Sequence, residues 1–382
     1  MLTKRKLVMI PGPSPVVRSI QNELGRETAA FGDPTFIADH KALTESLKAM
    51  LNCDGEAFVI AGTGTLGMET AIANTTKRGD NVLIASNGFF GDRFIGICER
   101  KGLGVDVIQA VWGTSVTPEE IEKKLKEKHY SVVVCTHVDT ATGVMAPVAE
   151  ISKVVHQYED TLLIVDGVCA TGGVKEDMKE MEIDLLFTGS QKAFGVPPGL
   201  TMVWANQKAL ARRKSLGTIP EYYCDFELWQ PVMENPAKYF ATPAVNMIWA
   251  LKEGVRIMLE EGMENRYARH QKNAGAMQAA LEALGFTILA EKKYRAYTLS
   301  NLIYPEGIDD AKFRNTLYEE GVIVGGGLAA YAGRMFRLGH MGNIDEHDMV
   351  SAIAAIERAM AKVGYPVKLG SGVGVLLENL VK

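Results

Sequence analysis

Long apolar runs are missing from these 382 residues, and none approaches the ~18 that a membrane-spanning helix needs. Cysteine is scarce: there are five (Cys53, Cys98, Cys135, Cys169 and Cys224), an odd number, with no C-x-x-C pair. That set fits neither a disulfide framework nor a zinc site, which argues for a reducing compartment and no metal. An excess of one charge is missing as well. Formal net charge is −5 with both signs interspersed, so a nucleic-acid groove is not implied. An anionic small ligand stays open, because the field at a site need not follow net charge. No repeat of fixed period and no low-complexity linker interrupts the chain. Lys4-Arg5-Lys6 is followed only by Leu7 to Ile10 before Pro11, too short for a signal-peptide core, and Asn379-Leu380-Val381-Lys382 matches no retention or peroxisomal tag. The expectation is a cytoplasmic protein that neither crosses a membrane nor binds nucleic acid.

What is present is a globular composition, 47% hydrophobic and 23% charged, at a length that suggests two domains. Glycine is in excess, 38 residues or roughly 10% against a usual ~7%. Such an excess without collagen-like period points to tight turns or to backbone brought close to a ligand.

From about residue 56, short apolar runs alternate with helical stretches. Ala57–Ile60, Asn81–Ile84, Ser131–Val134, Leu162–Val165, Leu185–Phe187 and Thr201–Trp204 read as buried strands of a largely parallel sheet covered on both faces. Leu66–Thr76, Pro118–Lys128 and Val148–Tyr158 read as helices between them. Thr117-Pro118-Glu119-Glu120 is a helix start, with an N-cap threonine, proline at N1 and acids in the first turn. Residues 206–240 lose this rhythm. Helical stretches over Ala244–Gly262 and Glu264–Leu284 then lead to strands at Thr298–Ile303 and Met335–Leu338. The predicted architecture is a large α/β domain over residues 16–250 and a smaller α+β domain over 251–382, with residues 1–15 packing on the latter.

Gly62-Thr63-Gly64-Thr65-Leu66-Gly67 fits G-x-G-x-x-G after a strand and before a helix. A dinucleotide site would also need an acid at the end of the next strand, and that strand ends Ala85-Ser86-Asn87. The turn remains an anion site, because glycines and hydroxyls at a helix N-terminus suit a phosphate. Asp166 ends a second buried strand, and Thr188-Gly189-Ser190-Gln191-Lys192 ends a third with a lysine. A phosphate site, a carboxylate and a lysine at one sheet edge match pyridoxal 5′-phosphate. Its phosphate takes the turn, its pyridine nitrogen the carboxylate, and its aldehyde the lysine as a Schiff base.

With Asn87-Gly88-Phe89-Phe90-Gly91-Asp92-Arg93 and Pro11-Gly12-Pro13-Ser14, these segments resemble the class V pyridoxal-phosphate aminotransferases, and within them the alanine–glyoxylate and serine–glyoxylate (serine–pyruvate) enzymes. The resemblance covers residues 8 to about 360. It implies a fold-type I α/β enzyme with Lys192 as the Schiff-base lysine and Asp166 as the pyridinium partner. It also implies Thr63, Gly64, Thr65 and Gln191 at the phosphate, Phe90 over the ring where tryptophan is common, and Thr140 near the ring. Tyr239 and Thr242 would reach a neighbouring subunit's phosphate, which makes a homodimer part of the site. Arg337 would clamp the substrate carboxylate, in preference to Arg334, which an odd strand offset turns away. His137 and Thr142 support a turn or act directly, and Tyr222, Tyr223, Phe226 and Trp229 read as packing or dimer interface.

The implied reaction is a ping-pong amino transfer from a small amino acid, alanine or serine, to glyoxylate or pyruvate. A 2-aminoethylphosphonate transaminase or another class V transaminase is the alternative. A NAD-dependent dehydrogenase on the Gly62–Gly67 turn is the remote one, and a cysteine desulfurase lacks its loop cysteine and has Gln191 where a histidine precedes the lysine. Many bacterial relatives carry His-Arg where this chain has Phe31-Gly32, which leaves the choice of donor open.

Overall fold

The computed structural model describes residues 6–382; Lys4, Arg5 and the rest of the segment 1–5 lie outside the described residues. Seven strands form the central sheet: Glu56–Gly62, Asn81–Ser86, Gly104–Gln109, Val132–Thr136, Leu162–Asp166, Leu185–Gly189 and Gly199–Ala205. Named by first residue, their spatial order is 56, 199, 185, 162, 132, 81, 104. All neighbours are parallel except around Gly199–Ala205, which runs antiparallel to both Glu56–Gly62 and Leu185–Gly189. The reason is local. A parallel return needs a long crossover, whereas only residues 190–198 separate Gly189 from Gly199, so the chain turns straight back. Lys192 sits on that return.

Alternate residues of each strand face two separate cores, which explains the nearly continuous apolar runs. Val59, Leu83, Val133, Leu163 and Met202 meet Ile248 and Trp249 of helix Val245–Glu261 on one face. Ile60, Ile84, Val134, Ile164 and Val203 meet Met68, Ile72 and Phe94 on the other. Gly104–Gln109 was not foreseen, because as an edge strand it is only half-buried and carries Asp106. A third core gathers Leu302, Phe313, Phe336, Leu338, Ile353 and Met360 around a four-stranded antiparallel sheet. We propose the division at about residue 250 on this packing: the two helices Val245–Glu261 and Met263–Ala283 connect the cores, the first helix packing in the sheet core up to Met258 and the second entering the C-terminal core from Ala276. Thr117 caps helix Pro118–Leu125 in a full capping box with Glu120. The five cysteines are buried and free, and no described helix is long and apolar enough to cross a membrane.

The N-terminal segment ties the two regions together. Leu7–Val8 pairs in parallel with Val322–Ile323, and Gly339 N–H donates to Met9. Ser14 N–H then donates to the Gln191 carbonyl at 2.9 Å.

Three interior histidines, His40, His270 and His340, make the fold acid-sensitive, and burial holds His270 well below its usual value. Burial holds His40 and His340 down at about 4 from a usual 6.5. Each stays neutral in the folded chain and takes up its proton on unfolding, so its contribution is present above pH 6.5 and is lost between 6.5 and 4. At about 1.36 kcal/mol per pKa unit this is roughly 3 kcal/mol each. His156, raised by Asp184, acts in the opposite sense but is partly exposed. Denaturant unfolding at pH 7 and pH 4.5 should show this loss, and His40→Leu should remove part of it. An unchanged pH slope in that variant would refute the assignment.

Candidate active site

Thr63, Gly64, Thr65, Phe90, Thr140, Asp166, Gln191 and Lys192 line one cavity of about 110 Å³, together with Arg93, Val138, Val168 and Cys169. It lies at the carboxyl ends of the parallel strands, where open α/β sheets bind ligands. Helix Gly64–Thr75 enters it end-on. Its N-cap, Thr63, makes no side-chain cap, so the Gly64 and Thr65 N–H groups have no acceptor among the described residues. A helix terminus in that condition is an anion site. Gly64 is required by closeness: a Cβ there would lie 2.7 Å from Val168 Cγ2.

Asp166 ends strand Leu162–Asp166 with 3% of its surface exposed. Its Oδ1 accepts from Val168 N–H at 2.9 Å, and Oδ2 has no partner among the described residues. Burial, opposed only in part by that hydrogen bond, pushes its pKa up to about 7. An acid in that state gains from any cation placed at Oδ2.

Lys192 is nearly buried and tightly held. Its Nζ donates to the Pro11 carbonyl, and its own carbonyl accepts from Ser14 Oγ at 2.6 Å. Gly12, with φ of +84°, lies against its stem, and a Cβ there would come within 2.4 Å of Lys192 Cδ. Gln191 Oε1 is buried without a partner among the described residues. Thr140 Oγ1 lies 2.7 Å from Cys169 Sγ.

Arg337 stands outside the cavity lining, on strand Met335–Gly339 of the C-terminal sheet. Its Nε donates to the Gly326 carbonyl at 2.7 Å, and neither terminal nitrogen has a partner among the described residues. Burial lowers its pKa, and the titratable groups acting on its charge are Cys169, a lining residue, and Asp139. Arg334 is exposed, over the Tyr331 ring. Tyr239 and Thr242 are not brought to this cavity. They lie beside each other, Oη to Oγ1 3.4 Å, with Tyr239 54% exposed and stacked on Phe31 at 5.1 Å. Thr142 supports its turn by donating to the Asn87 carbonyl. His137 is buried with Nδ1 2.6 Å from Glu176 Oε1 and does not line the cavity. Of the aromatic cluster, Phe226 and Trp229 are core, Phe226 stacking on Phe58 at 4.2 Å, while Tyr222 is 69% exposed. Asn87, where a dinucleotide site would want an acid, accepts from Val116 N–H.

Three contributors were not foreseen. Asp139 is fully buried and accepts from the N–H groups of Phe90, Gly91 and Ala141, which fixes the start of helix Phe89–Lys101 and so the Phe90 ring. Its place between His137 and Thr140 in the sequence was the only signal. Arg266, buried on helix Met263–Ala283, donates to the carbonyls of Gly172 and Ala193 and pairs with Glu261. It thereby joins the loop after Asp166 to the residue after Lys192. Arg93 donates to Thr65 Oγ1 at 2.9 Å and lines the cavity.

The cavity fits pyridoxal phosphate by its donor set: free helix N–H groups and hydroxyls at one end, a carboxylate with an open oxygen, and a primary amine. Comparison with known proteins agrees. Residues 14–344 match the family Aminotransferase class-V. The chain is 36% identical to an uncharacterized aminotransferase of Methanocaldococcus jannaschii, over 99% of this chain and 98% of that one. It is 34% identical to an L-aspartate–glyoxylate aminotransferase of Paracoccus denitrificans (99% and 97% covered) and to a serine–glyoxylate aminotransferase of Hyphomicrobium methylovorum (98% and 94%). Among solved structures it resembles the ureidoglycine–glyoxylate aminotransferase of Bacillus subtilis, with TM-score 0.95 and 27% identity over 100% of both chains. It also resembles an alanine–glyoxylate aminotransferase of Nostoc sp., with TM-score 0.90 and 30% identity over 94% and 96%.

Proposed function

The chain belongs to the class V aminotransferases, pyridoxal-phosphate-dependent transaminases of fold type I, and we propose that it moves the amino group of a small amino acid, alanine or serine, to glyoxylate or pyruvate. The observation that carries this reading is the convergence of Lys192, Asp166 and the uncapped helix terminus on one cavity, whose lining residue Cys169 also acts on the charge of Arg337.

Pyridoxal phosphate, when bound, supplies an aldehyde carbon for amino groups and a ring that draws electrons from the substrate Cα. The chain's own residues do the rest. Gly64, Thr65 and Thr63 hold the phosphate with backbone and hydroxyl donors, and Gln191 adds its amide. Asp166 keeps a proton on the pyridine nitrogen, an arrangement its burial favours only while a cation is beside it. Phe90 covers the ring from a helix start that Asp139 fixes. Arg337 takes the substrate carboxylate with its two free nitrogens, which orients the amino group toward Lys192. Lys192 Nζ would take the Cα proton as general base and, in the same half-reaction, hand it to the carbon that was the cofactor's aldehyde, moving a proton the opposite way when the acceptor is converted. The donor leaves as its oxo acid before the acceptor binds. Tyr239 and Thr242, exposed and adjacent, complete the phosphate site of a second subunit in a homodimer. A monomer with full cofactor occupancy in light scattering would refute that part.

The test is a panel of amino donors, with aspartate and 2-aminoethylphosphonate included, against glyoxylate and pyruvate. Alanine or serine with glyoxylate should give the highest kcat/KM. Arg337→Lys keeps the charge but loses the bidentate fork, so kcat/KM for these donors should fall about 10- to 100-fold, the worth of 1.5–3 kcal/mol of charged hydrogen bonding. Preference for the phosphonate amine, or an unaffected Arg337→Lys, would replace this reading.

A further inference from the structure

We propose that Arg93 is a further cofactor-binding residue, the cation that balances the phosphate of bound pyridoxal phosphate. The inference rests on the cofactor assignment of the preceding section. A phosphate monoester carries about −1.5 to −2 charges near neutral pH, and a helix N-terminus offers only about half a positive charge. The other groups assigned to the phosphate, Thr63, Thr65 and Gln191, are neutral. Among the described residues, only two basic side chains line the cavity, Lys192 and Arg93. Lys192 is turned to the Pro11 carbonyl and serves the aldehyde, which leaves Arg93.

Its placement suits the task. Arg93 sits on the first turns of helix Phe89–Lys101, half-buried, and its Nη1 donates to Thr65 Oγ1, a hydroxyl of the phosphate turn. No carboxylate pairs with it among the described residues. The nearby Asp92 is engaged by Ser86 Oγ and Gln109 Nε2. The guanidinium lies 4.7 Å from the Phe90 ring centroid, so the ring platform and the phosphate cation are held by one helix start. A cation–π contact restrains the side chain without neutralising it, which leaves its charge available. Asp139 fixes that start through Phe90 and Gly91, and so acts on both.

The test compares two ligands on the apoenzyme by equilibrium fluorescence titration: pyridoxal 5′-phosphate and pyridoxal, which lacks the phosphate. Arg93→Gln should weaken pyridoxal phosphate about 10- to 100-fold, as expected for one lost charge-assisted bond, and leave pyridoxal within about twofold. Arg93→Lys should recover part of the loss. Inorganic phosphate should compete with reconstitution of the native protein and far less with Arg93→Gln. The apo melting temperature of both variants serves as the folding control. Equal weakening of both ligands would mean that Arg93 acts through Phe90 or the fold, and unchanged affinity for pyridoxal phosphate would remove the role altogether; either overturns the inference. If the native chain itself binds neither ligand, the cofactor assignment fails instead, and the two failures are told apart.

Discussion

Lys192→Ala should leave a folded protein with no measurable amino transfer and without the violet-edge absorbance of lysine-bound pyridoxal phosphate. No neighbour can substitute. Among the described residues the only other basic group on the cavity is Arg93, and a guanidinium stays protonated in proteins, so it can neither condense with an aldehyde nor take a proton from carbon. The fold does not depend on the amine, because the backbone around it is held separately by Ser14 on the Gln191 and Lys192 carbonyls and by Arg266 on Ala193. Lys192→Arg is the sharper control: it keeps charge and length, and it should be as inactive as the alanine variant. Turnover and spectrum measured together decide the matter, and a Lys192→Ala protein that retained both would end the assignment.

Asp166→Asn is expected to have the second-largest effect. Asparagine keeps the size of the side chain and can still accept from Val168 N–H, so the strand end is preserved while the charge is removed. With a carboxylate at this depth, a pyridinium at Oδ2 is a buried ion pair, and losing one partner of such a pair costs about 3–5 kcal/mol. At 1.36 kcal/mol per decade this predicts a fall in kcat/KM of about a hundred- to ten-thousandfold, with weaker cofactor binding. Steady-state rates at saturating cofactor separate the two effects. Activity within a few-fold of the native protein would show that ring protonation does not depend on this residue.

Much of this could be read in the sequence because the signals were local. Fully buried strands such as Leu162–Asp166 announce themselves as apolar runs, and the residue closing each run falls at the ligand edge. That is why Asp166, the Thr63–Thr65 turn and Lys192 could be singled out together, and these residues line one cavity. Strand direction is different. The run Gly199–Ala205 looks like its neighbours and yet is antiparallel, because direction follows from the length of the connection. Gly104–Gln109 escaped notice because a half-exposed edge strand mixes polar residues among its apolar ones. Arg266 and Asp139 escaped for another reason. Their worth lies in backbone groups they hold at a distance, Gly172 and Ala193 for the arginine, Phe90 and Gly91 for the carboxylate. Nothing in their immediate neighbours encodes those partners.

The N-terminal segment has a consequence for the order in which the site can come into being. Residues 7–8 are made more than 300 residues before the strand they pair with, Val322–Ile323. The carbonyl that meets the lysine and the serine that holds its backbone lie between that pairing and helix Arg18–Leu24. Contacts that span nearly the whole chain carry the largest loop-closure cost and tend to form late. The central sheet can therefore assemble around an incomplete lysine site, and the clamp on Lys192 closes only after the C-terminal region has folded.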